Sequence, residues 1–146
     1  MIIPFAALRD LRGKVTLVGG GFDPIHQGHI AYFQAAAQFG LPVLCSVDGD
    51  AYVARKHKPL LAIHNRIQVL DAIRYLQYTY QNPGSTAEVL EALRPALYVK
   101  GADWSGRLPA DEVALCRAHD IEIRFVSTVL DSSSRLLQAF LQERGS

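Results

Sequence analysis

Apolar positions recur along this chain in two rhythms. Compact β-branched runs over 15–18 and 43–47 read as buried strands. Between them, over 28–39, Ile30, Phe33, Ala36 and Ala37 fall at helical spacing, and Gly40 and Pro42 stop the helix. The pattern predicts a helix over 63–75, a short strand over 78–80, and a helix over 85–93 opened by the capping-box spacing Ser85-x-x-Glu88. A strand over 96–100, a loop over 101–108 and a helix over 109–119, with proline near its first position, come next. In 121–126, Ile121, Ile123 and Phe125 alternate with Glu122 and Arg124, as on a sheet edge, and a last helix covers 132–143. Residues 5–12 suit a short helix ending at Gly13.

Strands alternating with helices predict an α/β fold: a parallel sheet with helices on both faces. Right-handed crossovers give the strand order 3-2-1-4-5, with the first strand beside the fourth. Ligands of such Rossmann-like sheets sit beyond the carboxyl ends of the strands, where the winding reverses. The loops 19–29, 100–104 and 127–134 should converge there, and they carry the most polar and glycine-rich chemistry.

Composition narrows the class. The 146 residues suit one domain over 1–146, and 49% hydrophobic with 20% charged residues is ordinary for a soluble globular chain. A net charge of +1 argues against a dedicated nucleic-acid binder. Cys45 and Cys116, in apolar or helical contexts, read as reduced buried thiols rather than a disulfide. No apolar run reaches membrane-spanning length, and the N-terminal stretch lacks a cationic start before a long apolar core. The expectation is a cytoplasmic protein without a membrane partner.

The chemistry concentrates in 14–29, KVTLVGGGFDPIHQGH. A strand, a glycine turn and a helix start make a phosphate site, because bare backbone lets an anion approach unpaired N–H groups. His26 and His29, three residues apart, fall on one face of a first helical turn, where each imidazole offers a donor when neutral and a charge when protonated. Such a pair also fits half of a metal site, although no third ligand stands at a recognisable spacing nearby.

The whole string G-x-F-D-P-x-H-x-G-H resembles the signature of the HxGH nucleotidyltransferase (cytidylyltransferase-like) superfamily. Glycerol-3-phosphate cytidylyltransferase, heptose-1-phosphate adenylyltransferase and nicotinate mononucleotide adenylyltransferase belong to it. The resemblance extends over 14–141 and implies nucleotide contacts from Gly20, Gly21, Phe22 and Gly28.

Three further stretches add to it. In Lys100-Gly101-Ala102-Asp103-Trp104, glycine permits close approach to a base, and tryptophan offers either a stacking face or an anchor for the next helix. YVKGADW is similar to the VKGGDY stretch of heptose-1-phosphate adenylyltransferases, and the SGRL that follows resembles cytidylyltransferase loops; this segment is implied to lie along the nucleotide. Ser132, Ser133 and Ser134 with Arg135 either cap the last helix or hold a phosphate chain. They resemble the superfamily motif for the β- and γ-phosphates, with Thr128 in the same loop. One departure is Ser127, where glycerol-3-phosphate cytidylyltransferases carry an arginine.

Lys56 and Lys58 form a basic loop that is either merely solvated or, by resemblance, phosphate-binding, and Lys58 is assigned to catalysis beside His26 and His29. Arg66 matches a family arginine near the acceptor, or is a surface ion pair. Asp48 stands where relatives place a polar residue near the acceptor, and Asp23 either orients the acceptor phosphate or a Mg²⁺ or braces the turn. His57, His64 and His119 show no partner spacing.

The resemblance implies a Mg²⁺-assisted transfer in which a small phosphorylated acceptor, a sugar or polyol phosphate, attacks the α-phosphate of ATP or CTP and expels pyrophosphate. No protein metal ligand is assigned, and a homodimer is compatible with this reading. Asp103-Trp104 leans towards CTP and the missing arginine away from it. Readings from other classes stand beside it: a non-catalytic nucleotide-binding module, and a metal-dependent hydrolase using the paired histidines.

Overall fold

The computed structural model of the protein describes residues 1–127 and 133–145. Strands β1 (Thr16–Gly20), β2 (Val43–Asp48), β3 (Tyr78–Asn82), β4 (Leu97–Gly101) and β5 (Glu122–Val126) form one sheet in the order β3-β2-β1-β4-β5. Every pairing is parallel, as the crossover rule requires. The helices are α1 (Gln27–Ala37), α2 (Asp50–Val53), α3 (Ile63–Asp71), α4 (Thr86–Leu93), α5 (Ala110–Ala118) and α6 (Ser133–Gly145). Short 3₁₀ turns cover Phe5–Leu11 and Ala102–Trp104.

Helices cover both faces. On one, Leu17, Leu44, Tyr80 and Tyr98 pack with Val89, Leu90 and Leu93 of α4 and Cys116 of α5. On the other, Val18, Val43, Cys45, Val47 and Val99 pack with Phe33 and Ala36 of α1 and Ile67 and Leu70 of α3. A strand buried on both sides needs apolar residues at most successive positions, which is why β1 and β2 read as near-continuous runs, interrupted by the buried hydroxyls of Thr16 and Ser46. Cys45 and Cys116 are free and buried. Among the described residues no helix is long and apolar enough to cross a membrane.

Several element ends differ from the sequence pattern. β1 runs on through Gly19 and Gly20, because β2 continues to pair with it at Gly19↔Ser46 and Gly20↔Val47. The left-handed turn that follows falls on Phe22, at φ +53°, rather than on a glycine. α3 ends at Asp71, before the chain turns through 72–76 to bury Leu76 and begin β3. A short α2 stands where a loop is expected. The Ser85 box forms as read: Ser85 Oγ accepts from the Glu88 N–H at 3.3 Å, and Glu88 Oε2 from the Ser85 N–H at 3.2 Å.

β1 and β4 pair only at Thr16↔Leu97 and Leu17↔Tyr98, then part. A crevice therefore opens at the carboxyl ends of the strands, where the sheet reverses its winding.

Candidate active site

The paired histidines are built into the start of α1. His26 is its N-cap, and its Nδ1 accepts the Gly28 N–H at 3.0 Å. His29 Nδ1 accepts the His26 N–H at 3.1 Å. Two imidazoles thus form the reciprocal cap that serine and glutamate usually supply, satisfying two helix-end donors. With both Nδ1 atoms accepting, each ring carries its proton on Nε2. The rings stack with centroids 3.9 Å apart. Burial, and then the charge of His26, hold the His29 pKa down to about 3, so it donates as a neutral imidazole at pH 7.

The preceding turn supports this cap from below. Phe22 packs against Phe33, and its ring meets His29 edge-on at 4.9 Å. The backbone passes close beneath it: a Cβ on Gly20 would press on the Phe22 ring at 3.1 Å, and one on Gly21 on Val53 at 3.1 Å. Phe22 is therefore a core side chain 5% exposed, and only its backbone is left for a nucleotide. Gly28 is buried, with its N–H on His26.

The sequence reading assigns Asp23 and Arg66 to the acceptor, but their side chains are engaged within the protein. The Asp23 carboxylate accepts the N–H groups of Leu60 and Leu61 at 2.7 and 2.8 Å and is 2% exposed, which is the bracing alternative. Arg66 is 1% exposed, so its pair with Asp50 is not the surface ion pair of the alternative reading. It donates to the carbonyls of Leu61, Gly21 and Asp48 and pairs with Asp50 at 2.6 Å. Together they lock the glycine turn, the end of β2, α2 and the segment after the basic loop into one frame.

Across the crevice, Lys100 lies at the end of β4 with Nζ 4.5 Å over the Trp104 ring. Burial lowers its pKa, while Glu112 and Asp48 act to raise it. Asp48, at the end of β2, is pushed up by burial and drawn back by Lys100, Lys56 and Arg66. Lys56 is thus within the field of the β2 and β4 ends, while Lys58 is exposed. The Asp103 carboxylate folds back to 2.6 Å from where a Cβ on Gly101 would stand. Thr128 and Ser132 lie outside the described residues, Ser133 and Ser134 are placed only as the first residues of α6, and Arg135 is exposed on it.

Two contributors escape sequence reasoning. Tyr32 donates its hydroxyl to the Val99 carbonyl and accepts the Gly19 N–H at 3.4 Å, bridging β1 and β4 past the point where they part. Its position three residues after His29, on the inward stripe of α1, was the available signal. Glu112 accepts the Tyr98 hydroxyl at 2.7 Å, whereas an acid in a first helical turn ordinarily reads as a dipole partner. Among the described residues no three His, Cys, Asp or Glu side chains gather as a metal site.

A parallel sheet that reverses its winding beside a histidine-capped helix start is the architecture of a Rossmann-like nucleotidyltransferase domain. The chain belongs to the Cytidylyltransferase-like family, whose profile matches residues 17–129. It is 29% identical over 141 residues to the bifunctional protein HldE of Helicobacter hepaticus, covering 90% of this chain and 29% of that protein. It is 34% identical over 105 residues to the bifunctional protein HldE of Streptomyces coelicolor, covering 69% and 23%. The chain therefore spans only about a quarter to a third of the length of these curated relatives. Among solved structures, it resembles the lipopolysaccharide core biosynthesis protein of Thermoplasma volcanium, with a TM-score of 0.66 at 17% identity over 81% of this chain and 98% of that one. Pantothenate synthetase of Thermus thermophilus gives a TM-score of 0.64 at 15% identity over 93% and 66%. At these identities the two structures speak for the fold alone.

Proposed function

We propose that this chain joins the nucleotidyl group of ATP or CTP to the phosphate of a small sugar or polyol phosphate. An acceptor phosphate oxygen attacks the α-phosphorus in line, the bond to the β-phosphate bridging oxygen breaks, and pyrophosphate leaves. The observation that carries this reading is the histidine cap: two stacked imidazoles whose Nδ1 atoms are tied to the backbone of one helix start, directly after β1. Donors fixed before the reaction stabilise charge that develops on phosphate oxygens without reorganising. Positioning supplies most of the remainder, as in other phosphoryl transfers.

In this reading His26 and His29 face the α- and β-phosphates, Lys100 and Trp104 border the nucleotide, and Lys56 or Lys58 closes over the phosphates. Asp48 borders the acceptor, and the residues at 132–135 hold the β/γ end. Mg²⁺ bound with the triphosphate would supply charge neutralisation for the departing pyrophosphate, and no residue of this chain is assigned to hold it. The resemblance to heptose-1-phosphate adenylyltransferases supports ATP and a sugar phosphate over the CTP alternative.

Pyrophosphate release tests the proposal, measured for the four ribonucleoside triphosphates with Mg²⁺ against a panel of sugar and polyol phosphates. Release that requires both substrates is expected. Nucleotide binding without release from any pair would instead favour a non-catalytic module. Metal-dependent phosphate hydrolysis without an acceptor would favour a hydrolase. Light scattering of the purified chain reads the homodimer expectation.

A further inference from the structure

Behind the nucleotide side of the crevice lie two polar groups, Tyr98 and Glu112, that the reaction as proposed leaves without a task. Tyr98 and Lys100 are two residues apart on β4, so their side chains leave the same face of the sheet. That face is covered by α5, whose first turn presents Glu112. The buried Tyr98 hydroxyl donates to Glu112 Oε1 at 2.7 Å, fixing a half-buried carboxylate under the end of β4. Farther along the strand, the Lys100 ammonium sits 4.5 Å over the Trp104 ring. Among the described residues Lys100 makes no ion pair of contact length. Burial lowers its pKa; against that, Glu112 from α5, Asp48 from β2 and Asp103 from its own loop favour the ammonium, and Lys56 from the basic loop opposes it.

This arrangement suits a cation that must meet an incoming anion. A lysine neutralised in direct contact would have to break that pair before binding phosphate, whereas a carboxylate held nearby favours the ammonium and leaves its donors available. The Tyr98 bond keeps Glu112 from swinging away into solvent; burial raises the pKa of the carboxyl, and the bond draws it back towards the ionised form. We propose that Glu112 is a positioning residue of the nucleotide site: anchored by the Tyr98 hydroxyl, it keeps Lys100 a charged ammonium, held against Trp104 and ready for a triphosphate oxygen. This rests on the nucleotidyltransferase reading for its purpose, but not for its physical content.

The test separates the two. Trp104 is the only tryptophan of the chain, so its fluorescence, excited selectively, reports the charge above its ring with no substrate present. An alkaline transition is expected in the unaltered protein and should vanish in Lys100→Met. Glu112→Gln, which keeps the shape and removes the charge, should move the midpoint to lower pH by about one unit, with Tyr98→Phe moving it the same way by less. A midpoint unmoved in both variants, each with unchanged melting, would overturn the proposal. In the transferase assay, the triphosphate KM of Glu112→Gln should rise about tenfold at a pH above that midpoint and little below it, with kcat less affected. In a Lys100→Arg background, whose guanidinium does not titrate, Glu112→Gln should bring no pH-dependent change, and one that persists there overturns the link to Lys100. Absence of pyrophosphate release altogether would defeat the transferase reading while the fluorescence result still decides the role of Glu112.

Discussion

His29 makes the site sensitive to acid through the same contacts that aim it. Its pKa lies near 3 in the folded protein against 6.5 for an ordinary imidazole. Between those values the unfolded chain binds a proton that the folded chain does not, so stability falls as pH falls below about 6.5. From pH 6.5 to 5 the expected loss is about 2 kcal/mol, read from urea unfolding. His29→Asn, which offers Oδ1 in place of Nδ1 and does not titrate, should show a shallower loss; an equal slope would acquit His29. The same substitution separates capping from chemistry. An alanine at His26 or His29 removes a cap worth about 1 kcal/mol together with the Nε2–H. Asparagine at either place keeps much of the cap, yet turnover should still fall about 10²-fold, the scale of one lost oriented donor. Near-normal turnover in both asparagine variants would take the histidines out of the mechanism. Arg66 is the residue least legible in the sequence. Arginines are seldom buried, and nothing local announces that the carbonyls of residues 21, 48 and 61 converge on one guanidinium. Arg66→Met leaves those carbonyls without their donor, with an expected cost of about 3 kcal/mol or more in denaturant unfolding.

Among the elements, the basic loop gains its meaning from how its ends are tied. Upstream, Asp50 at the start of α2 pairs with Arg66; downstream, the N–H groups of Leu60 and Leu61 sit on Asp23, three residues before His26. Between these fixed points Lys56 and Lys58 are exposed. Each can gain a charge-assisted contact only once phosphates arrive, so each should matter to reaction more than to folding. Lys56→Ala and Lys58→Ala are expected to lower kcat/KM about tenfold or more with Tm nearly unchanged, and proteolysis within the loop should slow when nucleotide and acceptor are both bound. Full activity in both variants, with cleavage indifferent to substrates, would leave the lysines as a solvated face. Local signals read well wherever the backbone satisfies itself nearby, as in the Ser85 box and the apolar runs of β1 and β2. They failed where a distant partner decides: β1 continues through two glycines because β2 pairs with them, and Phe22 turned inward because Phe33 and His29 receive it.

At the scale of the molecule, the alternation of strands and helices pointed to the strand order observed, and with it to the place of the crevice. What holds that crevice open could not be read, because it depends on where two strands stop pairing. β1 and β4 share only two register pairs, and beyond them the hydroxyl of Tyr32 spans the fork from the Val99 carbonyl to the Gly19 N–H. Tyr32 is 8% exposed, and burial pushes its phenol far above the ordinary range, so it remains a neutral donor. Tyr32→Phe keeps the ring in the core and removes only the bridge. The buried carbonyl then lacks its donor, at an expected cost of about 1–3 kcal/mol. The two halves of the sheet carry opposite sides of the proposed site, the histidines after β1 and Lys100 after β4. Loosening the fork should therefore raise the triphosphate KM more than a remote core change of equal cost, and it should speed hydrogen exchange at the Gly19 amide. If Tyr32→Phe weakens unfolding stability but leaves both Gly19 exchange and KM untouched, the hydroxyl is an ordinary core bond and the fork is held by packing alone.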